Sequence, residues 1–431
     1  MFRRLIVSLL KPVLAALLFA LPICAAETYT PLPTYLDGSM MPIDFSECSA
    51  DSWIPDSLRP VYATYVSRHG ARYLSGPGKT EKLEKLLQNG VNNGSLSETG
   101  EAFFNLVKET ISANTGNWGD LSPLGIEEQK IMGRRIFGLL SPLHHGASDV
   151  KAISSYVPRC VMTMYEFTGE LLRHNDSISV ATDEGHQYNS LLCCFIADKE
   201  YAEYRKNGDW KHVYNDFLQS HVSASPARRL FSSTDLSDKE LREYTMDMYQ
   251  VLKGNRAAGL PAPTTQWMSE KEYEGCWEAD NLAHYLRNSV NALTSLPAVA
   301  SAPLAFRLIR DIDKAATQLE PQPVMNGYFG HAETLLPLLS LLKIQGCFAL
   351  PLNYESLSTE WKVQNITPLG ANIFIMLSVG PSGQKYASIQ LNGRTVSPIS
   401  GKPEFVEWRQ LRQYWLDILS GYKVAIPADL L

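Results

Sequence analysis

Arg68-His69-Gly70-Ala71-Arg72 sets a histidine between two guanidinium groups within five residues. Guanidinium groups this close repel one another unless an anion lies between them. Their planar forks donate paired, charge-assisted hydrogen bonds that suit phosphate oxygens. A neutral imidazole held beside a phosphorus could attack it, and Gly70 would let the backbone come close. An ordinary loop with surface arginines and a capping histidine carries the same five residues, so spacing leaves both readings open. A second group, His331-Ala332-Glu333, follows an apparent strand and opens a helix, where backbone N–H groups and the helix dipole favour anions. A carboxylic acid there could hand a proton to a leaving oxygen, whereas a glutamate in a first helical turn also simply complements the dipole. Arg159, next to Pro158 at another strand-to-helix junction, is a further candidate anion ligand or a plain surface residue.

The elements that must position these residues alternate. Val61-Tyr62-Ala63-Thr64-Tyr65-Val66 reads as a strand running into the Arg68–Arg72 loop. Helical periods follow around Leu83, Leu86 and Leu87, around Phe103, Leu106 and Val107, and after Ser122 with Pro123 at the first helical position. A short strand near Lys151 to Ser155 precedes a helix carrying Met162, Tyr165 and Leu172. From about Asn175 strand signals fade, and helical periods such as Leu241, Tyr244, Met248 and Val251 dominate. Alternation returns with a helix over Ala305 to Leu319 and a strand over Val324 to Gly330 that leads to His331. Strands at Ile373–Leu377 and Tyr386–Leu391, a turn at Asn392-Gly393 and a helix with Trp408, Leu411 and Trp415 close the chain. The pattern predicts an α/β fold, a mainly parallel sheet flanked by helices, with core segments 27–174 and 301–431 and a mostly helical insertion over 175–300. Open sheets of this kind build sites at the carboxyl ends of their strands, where His69 falls.

The 431 residues are 45% hydrophobic and 19% charged, with 28 Gly and 25 Pro, which excludes collagen-like and disordered classes. A net charge of -6 argues against nonspecific nucleic-acid binding and leaves room for a local basic pocket. Residues 1–26 read as a signal peptide: Arg3, Arg4 and Lys11, an apolar run from Val13 to Leu21, then Cys24-Ala25-Ala26 as a cleavage site. That run is too short to cross a bilayer, and no second hydrophobic span follows. An exported protein, periplasmic or secreted, is expected. A lipid anchor at Cys24, disfavoured by the large Ile23 before it, and a twin-arginine signal are the alternatives. Cleavage leaves Cys48, Cys160, Cys193, Cys194, Cys276 and Cys347, and an oxidising compartment predicts at least one disulfide among them. Cys193-Cys194 is not a zinc spacing, His144-His145 reads as a surface loop, and no metal or organic cofactor is implied. Gly78-Lys79-Thr80 ends like a nucleotide P-loop, but Tyr73 stands where its first glycine is required. Lys79, Lys82 and Lys85 either line a rim for a polyanion or form the solvated face of a helix. A monomer is expected.

Taken together, these motifs resemble the histidine acid phosphatases. Arg68 to Arg72 matches the R-H-G-x-R signature, and Gly330-His331-Ala332-Glu333-Thr334-Leu335-Leu336-Pro337-Leu338 looks like the H-A-E variant of the multiple inositol polyphosphate phosphatase branch. Leu121 to Gly125 with Gln129, Gly133 and Arg134, and Ser154-Ser155 through Arg159 to Phe167, extend the similarity over most of the chain after residue 26. The resemblance implies phosphomonoester hydrolysis in two steps, with His69 as nucleophile and Arg68, Arg72, Arg159 and His331 around the phosphoryl oxygens. Ala332 stands where the wider family has an acidic proton donor, so that role would pass to Glu333, which implies an acidic optimum. Leu74 replaces a usual proline, followed by Ser75 where a hydroxyl often touches phosphate. The implied substrate is a small polyanion, phytate and lower inositol phosphates. A broad acid phosphatase for small phosphomonoesters such as sugar phosphates or bisphosphoglycerate, and a polyanion-binding protein without catalysis, are the rival readings.

Overall fold

The computed structural model describes residues 29–45, 54–140, 143, 148–174 and 178–431. The signal peptide, Cys48 and His144-His145 lie outside these residues. Strands β1 (Arg59–Arg68), β2 (Ser148–Ser154), β3 (Ile178–Glu184) and β4 (Met325–Gly330) form the parallel half of one sheet, in the order β3-β2-β4-β1. Strand β5 (Asn372–Val379) joins β1 antiparallel and continues through β6 (Lys385–Leu391) to β7 (Arg394–Val396), while β8 (Val406–Glu407) also pairs with β6. Asn392-Gly393 makes the β6–β7 turn with φ of 51° and 82°, the left-handed pair that a tight hairpin requires.

The helices of nine residues or more are α1 (Gly78–Asn92), α2 (Glu98–Asn114), α3 (Pro123–Leu140), α4 (Pro158–His174), α5 (Lys199–Asn207), α6 (Trp210–His221), α7 (Asp238–Ala257), α8 (Glu270–Asn288), α9 (Leu296–Thr317), α10 (Ala332–Leu341) and α11 (Trp408–Gly421). Both faces of the sheet are covered, which is why β5 reads as an unbroken apolar run instead of alternating with polar residues. Ala63, Tyr65, Phe374 and Met376 pack on α3 and α4 through Met132, Ile136, Met164 and Phe167. Tyr62, Ile373, Ile375 and Leu377 turn to the opposite face and join Leu308, Leu335 and Leu339. That second core runs on without a break into Leu241, Met248, Val251, Tyr273 and Leu282, so the helices after β3 share the core of the sheet.

The expected α/β fold with a helix-flanked sheet is the observed one. The structure differs from the sequence reading in three places. Strand β3 lies within the stretch where strand signals fade. It sits at the edge of the sheet and its burial alternates only weakly, so Ser179, Thr182, Asp183 and Glu184 leave little apolar pattern to read. Helix α4 forms as expected, but Met162, Tyr165 and Leu172 face solvent, while Cys160, Met164, Phe167 and Leu171 face the sheet. Finally, Cys160, Cys193, Cys194, Cys276 and Cys347 are all buried free thiols, so the expected disulfide does not occur among the described residues. A large shared core makes such a crosslink unnecessary for folding. Among the described residues no helix is long and apolar enough to cross a membrane.

Candidate active site

The register of the parallel strands assembles the site. Arg68 pairs with Gly330 across β1 and β4, and Ser154 pairs with Phe329 across β2 and β4. The residues that follow, His69, His331 and Ser155, therefore leave the sheet side by side at its carboxyl edge. The His69 backbone N–H donates to the Gly330 carbonyl at 3.0 Å, and the two imidazole rings stand 5.8 Å apart at 75°. Both histidines are nearly inaccessible, at 3% and 2% exposure.

His69 is prepared for attack by its surroundings. Its Nδ1 lies 2.9 Å from the Gly70 carbonyl, which cannot donate, so the ring proton belongs on Nδ1 and the lone pair on Nε2. Burial, then Arg68, Arg159 and Arg72, push the imidazolium well below the usual histidine range, leaving a neutral nucleophile. His331 is pulled down to about 3 by burial and by Arg159, whose Nη2 lies 3.4 Å from its Nδ1; Ser155 Oγ lies 3.2 Å from its Nε2. Cys160 Sγ donates to the Gly330 carbonyl at 3.1 Å and packs beside the same ring.

The loop after β1 is held from several sides. Thr163 Oγ1 accepts from the Gly70 N–H at 3.2 Å, and Glu128 accepts from the Ala71 N–H at 2.6 Å. Gly70 and Gly125 permit this approach: a Cβ on Gly125 would lie 2.0 Å from the Ala71 carbonyl, and one on Gly70 2.8 Å from that of Gly125. Arg68 Nη1 donates to the carbonyls of Ser39 and Thr367, and Arg72 Nη1 donates to the Tyr73 carbonyl at 2.7 Å. Burial lowers Arg68 to about 10 and Arg72 to about 9, with neighbouring guanidinium groups adding to the effect. The Nε atoms of Arg68, Arg72 and Arg159 are buried without an acceptor. Buried donors without partners are costly, and all three guanidinium groups lie near enough for their charge to act on His69, which marks a place for an anion.

Glu333, in the first turn of α10, is paired with Arg205 of α5 at 3.2 Å and remains 31% exposed. Burial raises its carboxyl, but Arg205, His331 and Arg68 outweigh burial and hold it well below the usual range. Ser75 is exposed in the loop before α1, and Gly119 lies between its backbone and the Arg159 guanidinium, at the rim of the site. Leu74 uses what proline lacks, donating its backbone N–H to Asn114 Oδ1 at 2.9 Å. Its side chain presses on α7, where a Cβ on Gly254 would come within 2.2 Å. Lys79 and Lys82 both pair with Asp247, at 3.2 and 2.7 Å, and Lys85 is exposed. Arg205 and the Ser39 carbonyl escape sequence reading because each comes from a distant segment without a local motif, and Glu128 and Thr163, which fall in the matching stretches, escape it because nothing local shows that they bond to the Gly70-Ala71 backbone. No group of three or more metal-ligating side chains gathers among the described residues.

Residues 62–386 match the histidine phosphatase superfamily (branch 2). The chicken (Gallus gallus) multiple inositol polyphosphate phosphatase 1 is 23% identical over 407 residues, covering 88% of this chain and 86% of that protein. The same fold occurs in the Bifidobacterium longum multiple inositol polyphosphate phosphatase in complex with inositol hexasulfate, with a TM-score of 0.73 at 14% identity over 88% of this chain and 97% of that one. It also occurs in the phytase from D. castellii, with a TM-score of 0.68 at 15% identity over 90% and 85% of the respective chains. With its signature histidines on adjoining strand ends and its match across most of the chain, the protein belongs to branch 2 of the histidine phosphatase superfamily and is a phosphomonoester hydrolase.

Proposed function

We propose that the protein removes phosphates from inositol polyphosphates, phytate first, through a phosphohistidine on His69. The observation that carries the mechanism is the contact of His69 Nδ1 with the Gly70 carbonyl at 2.9 Å: a carbonyl only accepts, so the proton sits on Nδ1 and the lone pair on Nε2 is free for phosphorus. In the first step Nε2 forms a bond to phosphorus, the ester P–O bond breaks, and the Glu333 carboxyl gives its proton to the departing alkoxide. In the second, the Glu333 carboxylate takes a proton from water as its oxygen attacks phosphorus, the P–N bond breaks, and phosphate leaves with His69 restored. Arg68, Arg72, Arg159 and His331 bind the three non-bridging oxygens, and the three guanidinium groups offset the charge that develops there. Ser75 adds a hydroxyl at the rim. The resemblance to the polyphosphate branch at His331 to Leu338 and the similarity to the chicken and Bifidobacterium enzymes support the inositol phosphates as substrates. The core over 27–174 and 301–431 holds the phosphoryl group, and the helices between 175 and 300 cover it and meet the rest of the substrate. The protein acts outside the cytoplasm, as a monomer, after loss of residues 1–26.

The test is phosphate release from phytate at mildly acidic pH with a chelator present, products resolved by ion exchange. A ladder of lower inositol phosphates is expected. Hydrolysis of an aryl phosphate without action on phytate would instead place the protein among broad acid phosphatases, and inactivity on both would make it a polyanion-binding protein.

A further inference from the structure

Arg68 is held in place by a segment from outside the sheet. The two N–H bonds of its Nη1 go to backbone carbonyls, those of Ser39 and Thr367. Its Nε is buried without an acceptor, so the edge formed by Nε and Nη2, which offers two parallel N–H bonds, is the one left for an oxyanion. Moving either carbonyl would turn that edge. Thr367 lies in the loop that enters β5, where the Gly370 N–H donates to the His69 carbonyl at 3.0 Å. Ser39 comes from the short 3-10 segment Thr34–Met40, whose residues Leu36 to Met40 are buried, except that Met40 keeps slight exposure. The covering helices grip this segment. Tyr249 Oη of α7 donates to the Leu36 carbonyl at 2.8 Å, Tyr273 Oη of α8 donates to Asp37 at 2.7 Å, and Arg256 of α7 pairs with the same carboxylate at 2.8 Å. Gly38, at a φ of 57°, turns the chain so close to α8 that a Cβ there would lie 3.2 Å from Asp280 Oδ2. The Ser39 side chain completes the grip: its Oγ lies 3.0 Å from His284 Nε2, and the same nitrogen faces Asp280 Oδ2 at 3.8 Å. Asp280 is fixed in turn, accepting from Lys253 Nζ and Gln250 Nε2 at 2.8 Å each. A bonded path therefore runs from α8 through Ser39 to the guanidinium beside the nucleophile.

We propose that His284 and Ser39 are positioning residues, which fix the Ser39 carbonyl and through it aim the free edge of Arg68 at the attacked phosphate. This rests on Arg68 as a ligand of that phosphate and not on what the phosphate is attached to. Without His284 the Ser39 carbonyl is free to shift, and the Arg68 fork shifts with it. A fork slightly off its oxygens costs rate more than binding, because its hydrogen bonds matter most where charge develops in the transition state. The covering helices thereby act on the chemistry through a backbone carbonyl, without touching the phosphoryl group themselves.

The experiment measures kcat and KM on an aryl phosphate and on phytate for the wild-type protein, Ser39→Ala, His284→Ala and the double variant. Each single variant should lose about tenfold or more in kcat on both substrates, with KM changed by less than about threefold. The double variant should lose no more than the worse single one, since both changes cut the same path. His284→Gln, whose amide keeps a donor, should recover part of kcat, and Ser39→Ala, which removes one oxygen, serves equally if His284→Ala does not fold. In the Arg68→Lys background, which lacks the fork, His284→Ala should cost less than about twofold further. A kcat within about twofold of wild type in the folded variants, or losses that multiply in the double variant, would overturn the proposal. So would a loss confined to phytate, the result if His284 touched the rest of the substrate, and so would undiminished turnover by Arg68→Lys. A wild-type protein that spares phytate and hydrolyses the aryl phosphate would overturn the functional reading, while the same losses on the aryl phosphate would still support the positioning role.

Discussion

For a single residue, the proposed mechanism requires one imidazole to stay neutral and one carboxyl to carry a proton. The first condition is built in, because burial and three guanidinium groups act on His69 in the same direction. The second is opposed by the resting structure, where Arg205 holds Glu333 as a carboxylate. The cost of losing that acid depends on the leaving group. Glu333→Gln should slow hydrolysis of alkyl phosphates such as phytate by about 10²–10⁴-fold and affect an aryl phosphate far less, since a phenolate departs without a proton. Equal losses on both substrates would remove Glu333 from the role of acid. The residues Arg68, His69, Arg72, Arg159, His331 and Glu333 were legible in the sequence because each stands in a short motif or at a strand-to-helix junction. Arg205 was not, since a lone arginine on a polar helix carries no signal until the fold sets it against Glu333.

At the scale of the element, the loop after β1 is seated on the first turn of α3 by two glycines that leave no room for a side chain. A Cβ at Gly125 would lie 2.0 Å from the Ala71 carbonyl, whereas one at Gly138, on the same helix, would meet nothing within 4 Å. Gly125→Ala should therefore displace the His69 loop, lowering stability by about 1–3 kcal/mol and activity with it. Gly138→Ala should leave activity alone and raise stability by roughly 0.5–1 kcal/mol through helix propensity. Similar melting temperatures for the two variants would contradict the packing described. Most elements were readable because periodicity survives burial on one side. β3 and the inward face of α4 were not, for different reasons. An edge strand rich in polar residues loses its alternation, and α4 carries apolar residues on its solvent face as well as its buried one.

At the scale of the whole molecule, one core binds the sheet to the helices that cover the site, so the site and the fold share their titrations. Burial pushes Glu128, bonded to the Ala71 N–H, up to about 7. A raised carboxyl contributes its full stability below its unfolded value and loses it as pH rises through the folded one, here from about 4.5 to about 7. Glu128→Gln lacks this titration, so its melting temperature should gain on that of the wild type between pH 4.5 and pH 8. A difference that stays constant across that range would show that Glu128 is not held protonated. The sheet's order and the convergence of segments from residues 39, 68, 128, 159, 205 and 331 on one edge are long-range facts. Local sequence could announce the pieces and, through resemblance, the family, but only register and packing bring them together.

Everything in the proposed chemistry turns on the covalent intermediate on His69. Rapid acid-free quenching of turnover with phytate labelled at phosphorus, followed by peptide mapping, tests it most directly. An acid-labile, alkali-stable phosphoryl group is expected on the peptide containing His69 and absent from His69→Ala, which should also lose turnover. Continued turnover by His69→Ala, or label on another residue, would contradict it.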